Sequence, residues 1–208
     1  MDIHYIFLDI GLKKLEERED YLDNIEWNTQ FYPNYTIWGD KEIELLIDEH
    51  YGDLKDRICK MPKYYLIDFA RPLILNIHGG FYCDMDIRIN KPIPNDRDFL
   101  HSLYTYPKTQ KTILGNSLFK LPKNLYYPFI IYCLNEFDRV SNIKVYETWK
   151  YRKLLQSVGG YALKRFCKKA CLELNFAFYD FCREYNTASV LEVSSNKKGY
   201  GAGYNYND

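Results

Sequence analysis

The chain opens with a short apolar run, Ile3 to Ile10, rich in β-branched and aromatic residues and closed by Gly11. A run of that length and composition, bounded by a turn residue, predicts a buried first strand. From Leu12 to Gln30 the pattern becomes charged and periodic, predicting a helix with Leu15, Leu22 and Ile25 facing inward. Pro33-Asn34 turns the chain, and Tyr35 to Trp38 reads as a second short strand. Gly39-Asp40 ends that strand, and Asp40 has the side chain to cap a helix from Lys41 to about His50. Pro62 suits the first turn of a further helix, whose apolar stripe of Leu66, Phe69, Ala70, Leu73, Ile74 and Ile77 carries it to His78. Gly79-Gly80 stops it, because glycine accepts the left-handed conformation at a helix end. Pro72 interrupts the stripe; lacking an N–H, it is expected to kink or restart the helix.

Phe81 to Ile87 then alternates like the end of a strand. Strand and helix thus alternate through the first half, which argues an α/β sheet. In the second half, residues 99–105 and 113–119 read as strands, Tyr126 to Phe137 and Gly160 to Leu174 as helices, and Val190 to Val193 as a last strand. A glycine- and tyrosine-rich tail follows. No internal repeat or linker divides the 208 residues, so residues 1–208 are read as one domain.

Charge narrows the classes of partner. Lysine plus arginine number 28 and aspartate plus glutamate also 28, so no general attraction to nucleic acid or anionic membrane is expected. An anionic ligand must be held by a local site. There is no apolar stretch of about 18 residues and no signal-peptide pattern, so a soluble, cytoplasmic protein of viral or bacterial type is expected. The six cysteines form no CxxC pair and read as free buried thiols, and the four histidines form no HxxxH pair.

Asp84-Met85-Asp86 carries the chemistry. In an extended segment residues two apart share a side, so the two carboxylates converge on one hard cation. Magnesium or manganese is typically held by one or two carboxylates, with phosphate oxygens and water completing the shell. Such an ion neutralises a diphosphate and stabilises it as a leaving group. Alone, the motif is weak in a chain with 28 acidic residues; its setting of an apolar helix, two glycines and two aromatics strengthens it. Asp68 and Arg71 lie three apart on that helix and share a face. They read either as a surface ion pair or as groups that hold sugar hydroxyls and phosphate.

Residues 61–88, MPKYYLIDFARPLILNIHGGFYCDMDIR, resemble the hallmark segment of the DxD sugar-transferase family, which includes initiating α-mannosyltransferases and the catalytic domains of clostridial glucosylating toxins. Asp68, Arg71, Gly79, Gly80, Tyr82, Asp84 and Asp86 fall in register with it. Residues 3–11 and the segment FYPNYTIWGDKEIELLIDEHY are similar to the family's first strand and to its second strand and helix. The likeness covers about the first 90 residues, the nucleotide-sugar half; residues 91–208 would form the acceptor side.

The resemblance implies a glycosyltransferase type A fold, Rossmann-like and single-domain. It implies a metal-dependent enzyme moving a hexosyl group from a UDP- or GDP-sugar, UDP being favoured, to a glycan or protein hydroxyl with retention. By the same resemblance Asp86 ligates Mn2+ or Mg2+, Asp84 contacts the metal shell or ribose, and Asp68 and Arg71 bind donor sugar and phosphate. Tyr82 and Asn116 line the donor pocket, and Phe7 takes the place of a base-stacking tryptophan. Phe7 also reads as a core residue, and Gly115-Asn116-Ser117 as a plain turn. Ser157 to Gly160 corresponds to a loop that reads as a helix cap or an anion site. The tail lacks the histidine and tryptophan that close the family's site; Asn205 or Asp208 is the candidate third ligand. Two other readings stand beside this one: an inactive nucleotide-sugar-binding module, and a phosphatase whose first aspartate is a nucleophile.

Overall fold

The computed structural model describes residues 1–11, 14–89, 92–93, 99–105, 112–142, 153–154, 156–174 and 191–193. Strands β1 (Ile3–Ile6), β2 (Tyr35–Trp38), β3 (Phe81–Cys83), β5 (Phe99–Thr105) and β6 (Thr112–Lys120) form one sheet in the order β2-β1-β3-β6-β5. β1 runs parallel to β2 and β3, while β6 is antiparallel to β3 and β5. A short β4 (Ile87–Ile89) pairs antiparallel with β7 (Leu191–Val193) in a second, two-stranded sheet. Helices are α1 (Glu19–Thr29), α2 (Asp40–His50), α3 (Lys55–Ile58), α4 (Lys63–His78), α5 (Lys123–Ser141) and α6 (Gly160–Leu174). The expected strand-helix alternation and all five second-half elements are present. The parallel strands expose their carboxyl ends along one edge, where α/β sheets bind ligands.

Because side chains alternate along a strand, β1 and β3 each feed two cores. Ile3, Tyr5, Phe81 and Cys83 point to the α1 side with Ile25, Met85, Ile87 and Ile89. Ile6 and Tyr82 point to the opposite side, against α2, α4, α5 and α6, with Phe69, Leu73, Ile74, Ile130 and Leu163.

Four local expectations change. Leu22 is 40% exposed; the inward face of α1 carries Asn24, Ile25 and Asn28 instead. Helix α2 begins at Asp40, with Gly39 as cap, and the Glu42 carboxylate accepts the Gly39 N–H at 3.1 Å. Asp40 instead accepts the Asp9 N–H and pairs with Lys63 at 2.7 Å, tying β1, α2 and α4 together at the carboxyl edge. Helix α4 runs unbroken through Pro72, because Phe69, Ala70, Leu73, Ile74 and Leu75 are all fully buried around it. That burial outweighs the one backbone bond proline removes. Lastly, Asp84 to Ile87 is not extended: the Ile87 N–H donates to the Asp84 carbonyl at 3.2 Å, closing a turn.

The glycine doublet has a steric reason. Gly79 and Gly80 both have positive φ, 70° and 69°. A Cβ on Gly80 would stand 2.4 Å from the Asp2 carbonyl oxygen and 3.1 Å from His4 Nε2. Only a residue without a side chain lets α4 hand over to β3 this close to β1. Gly80→Ala is expected to cost on the order of 3 kcal/mol in urea unfolding, more than Gly79→Ala, whose Cβ meets nothing within 4 Å.

Beside this turn, His4 is buried in β1, and its Nδ1 accepts the Trp38 Nε1–H at 3.1 Å. The His78 ring packs on Trp38, with centroids 4.9 Å apart. Burial, then repulsion from His78, lowers the His4 pKa from 6.5 to about 4. Between those values the unfolded chain takes up a proton that the folded chain does not, so stability is lost as pH falls through that window. The full loss from this group is roughly 3 kcal/mol. Unfolding free energies measured from pH 7 to pH 4 should show a shallower acid decline in His4→Gln; identical declines would place the acid sensitivity elsewhere.

Candidate active site

Helix α4 presents Asp68 and Arg71 one turn apart, toward the carboxyl end of β3. Arg71 is a nearly buried cation, its side chain 8% exposed. Its Nη2 lies 3.1 Å from Asp68 and 3.0 Å from Asp84, and its Nη1 donates to the Asn116 carbonyl at 2.8 Å. The guanidinium carbon stands 4.5 Å from the centre of the Tyr82 ring, a cation–π distance. The Tyr82 hydroxyl donates to Asp84 Oδ1 at 2.6 Å, and the Asn116 amide donates to Asp68 at 2.9 Å. The consecutive α4 and β3 end and the more distant β6 therefore close one network.

Strand pairing explains why Asn116 belongs to it. β6 runs antiparallel to β3 with Cys83 opposite Leu118, and the Asp84 N–H extends that ladder to the Ser117 carbonyl at 2.6 Å. Asn116 is thus a strand residue rather than part of a turn, carried to α4 by register.

After the ladder the chain turns, yet burial still alternates. Cys83, Met85, Ile87 and Ile89 are buried in the α1-side core, while Asp84, Asp86 and Arg88 are only partly buried. Met85 acts as a hydrophobic peg between the two aspartates. It keeps both carboxylates off the core, so they feel each other's charge.

The electrostatics follow from one cation among three acids. Burial pushes Asp84 up to about 7, Arg71 pulls it down, and Asp86 adds to the rise. Its side chain is 27% exposed, so it is reachable from solvent. Asp86 is also raised, mainly by burial, with Arg71 and then Arg18 opposing. Burial works against the charge on Arg71, but Asp84, Tyr82, Asp68 and Asp86 together outweigh it and hold its pKa above the usual range. Burial raises Tyr82 and Cys83, leaving the phenol a donor and the thiol protonated.

Of the residues expected from sequence, Asp68, Arg71, Tyr82, Asp84 and Asn116 come together directly, and Asp86 joins them through charge. Tyr82 is buried beneath the network and acts on Asp84. Phe7 lies apart, at the end of β1; its N–H donates to the Trp38 carbonyl at 2.9 Å, and its half-buried ring packs against the α1-side core. Asn205 and Asp208 lie outside the described residues. Ser157 donates to the Leu154 carbonyl, which is a local cap rather than an aimed anion donor. Among the described residues no three His, Cys, Asp or Glu side chains gather into a metal cage. Asp84 and Asp86 bring carboxylate oxygens, the hard donor type that suits a divalent cation completed by phosphate and water. Sequence reading missed Asn24 and Asn28, which look like ordinary polar positions on a charged helix.

No helix among the described residues is long and apolar enough to cross a membrane. A search of curated proteins finds no match. Among solved structures, the PaToxG glycosyltransferase superposes with a TM-score of 0.55 at 15% identity, covering 88% of this chain and 73% of that one. That likeness establishes a shared α/β fold of the glycosyltransferase A type. Residues 2–103 match the family described as the glycosyltransferase sugar-binding region containing the DXD motif, a span that holds α4, the glycine doublet and both aspartates. With its motif seated at the carboxyl edge of the parallel strands, the first half of the chain is similar to the sugar-binding region of the DXD-containing glycosyltransferases.

Proposed function

We propose that the protein moves a hexosyl group from a nucleotide sugar, UDP-linked in preference to GDP-linked, to a hydroxyl of a glycan or protein, with Mn2+ or Mg2+ held by Asp84 and Asp86. The observation that carries this reading is the charge imbalance: three carboxylates, Asp68, Asp84 and Asp86, act on one buried guanidinium at the sheet edge. Uncompensated carboxylates in a partly dry site are costly, and a dication relieves the cost. When bound, the ion would neutralise the donor's diphosphate and ease its departure.

The chain's own groups divide the remaining work. Asp86, at the tip of the turn, is the direct ligand. Asp84, steadied by Tyr82 and Arg71, completes the ion's protein shell or receives the ribose. Asp68, held by Arg71 and Asn116, faces the donor sugar and accepts from its hydroxyls. Arg71 is bound on three sides and serves chiefly to fix the two aspartates, adding positive potential toward the phosphate. Phe7 offers a partly exposed ring to the base. Asp68 and Asp84 are both committed to Arg71, which suits binding rather than proton abstraction; this favours retention over an inverting route with a general base. The phosphatase alternative fits poorly, because its nucleophile would be an aspartate already in an ion pair and following β3 rather than the first strand.

Thermal-shift titration with nucleotide sugars, with and without Mn2+, tests the reading, since a ligand of the folded state raises stability by mass action. Stabilisation by a UDP-sugar only when Mn2+ is present is the expected result; indifference to every nucleotide sugar would refute it. Binding without any donor hydrolysis or transfer would identify an inert module. In Asp86→Asn the Mn2+-dependent shift should vanish and turnover fall roughly a hundredfold or more, with the metal-free melting point little changed.

Arg71→Met should behave differently. It removes the buried cation of this network and leaves the acids facing one another, costing about 3 kcal/mol of fold stability in addition to activity. Lysine should not restore it, having neither the planar fork nor the reach to three partners. Urea unfolding of the metal-free proteins measures the difference.

A further inference from the structure

Among the described residues the motif turn has no strand neighbour on its α1 side; two asparagines bind its backbone there. Asn24 is fully buried, and its amide donates to the Met85 carbonyl at 2.9 Å while its oxygen accepts from Arg88 Nε at 2.7 Å. One turn on, Asn28, 1% exposed, donates to the Ile87 carbonyl at 2.9 Å and to the Tyr5 hydroxyl at 3.0 Å. Its oxygen accepts the Ile89 N–H at 2.7 Å. Trp27 adds a third tie, its indole N–H donating to the Ile89 carbonyl at 3.1 Å, with Arg88 lying over its ring. Residues 24, 27 and 28 share one helix face, and the groups they bind come from alternate residues 85, 87 and 89. The helix thus takes the part of a missing neighbouring strand, while β7 pairs with the other edge of β4.

We propose that Asn24 and Asn28 are positioning residues that set the register of the Asp84–Asp86 turn, and so the spacing of the two carboxylates presented to a divalent cation. The consequence for metal binding rests on the functional reading above; the mechanical role does not. Two features argue for a dedicated device. Buried asparagine is costly unless its polar atoms are matched, and both donors and the acceptor of Asn28 are used here. An apolar residue would have filled the α1-side core at less cost. Moreover, these bonds converge on the segment that begins inside the motif at Met85, with one reaching Tyr5 in the main sheet.

The test is residue-resolved amide exchange on the metal-free protein, alongside Mn2+ titration of thermal stability. Asn28→Leu should speed exchange of the Ile87 and Ile89 amides by about tenfold or more, leaving Tyr5 and Ile6 in β1 as slow as in wild type. Asn28→Asp, which keeps the acceptor, should restore protection at Ile89 alone. Asn24→Leu should act at the Met85 end. Each leucine variant should raise the Mn2+ concentration at half-effect by about tenfold and lower kcat more than it raises KM for the donor. Trp27→Phe, at a half-exposed position that tolerates change, should give the same local signature more weakly, and it decides the matter if a leucine variant does not fold. Exchange that quickens equally throughout the sheet, or that stays unchanged at residues 85–89, would overturn the proposal. If wild type shows no Mn2+ response at all, the functional reading fails, while the exchange comparison still decides whether the asparagines hold the turn.

Discussion

One buried guanidinium organises the active edge of this protein. Arg71 touches a carboxylate on its own helix, a carboxylate beyond β3, a main-chain carbonyl on β6 and an aromatic face. Without it, each of these acids would be buried without a close counter-charge. The arrangement remains over-acidic even so: burial pushes the Asp84 pKa up to about 7, and burial raises Asp86 as well. An acidic excess held in fixed positions is what the proposed cation site rests on; a purely structural ion pair would be balanced.

Around that charge the fold supplies geometry in layers. The glycine doublet lets helix α4 pass straight into β3 against the Asp2 carbonyl, fixing how far Asp68 and Arg71 stand from Asp84. The β3–β6 ladder carries Asn116 to the pair. Met85 pegs the turn into the α1-side core, and α1 grips the same turn through asparagine amides. Rigid elements on both sides therefore define a short motif that would be a loose loop by itself. This is the condition under which two carboxylates keep one spacing.

At the opposite end of the sheet the same economy carries a liability. His4, Trp38 and His78 pack together beneath the glycine turn, and the buried imidazole can be kept only as the neutral form. Stability at that end depends on pH, through a group remote from the chemistry.

Much of this was legible in the chain of residues alone. Local patterning placed nearly every element, because period-2 and period-3.6 runs of Ile, Leu, Phe and Tyr report burial directly. The segment from Asp68 to Asp86 announced the site because its helix, glycines and acids are contiguous. Tertiary structure decided the rest, where partners are far apart in sequence. Asn116 is 48 residues from Asp68, and only the register of β6 joins them. Asn24 lies 61 residues from Met85, and a polar helix position gives no sign that it faces a backbone rather than water. Pro72 and Leu22 ran against local rules for the same reason: burial around the first and its lack around the second are properties of the packed molecule, which no short window contains.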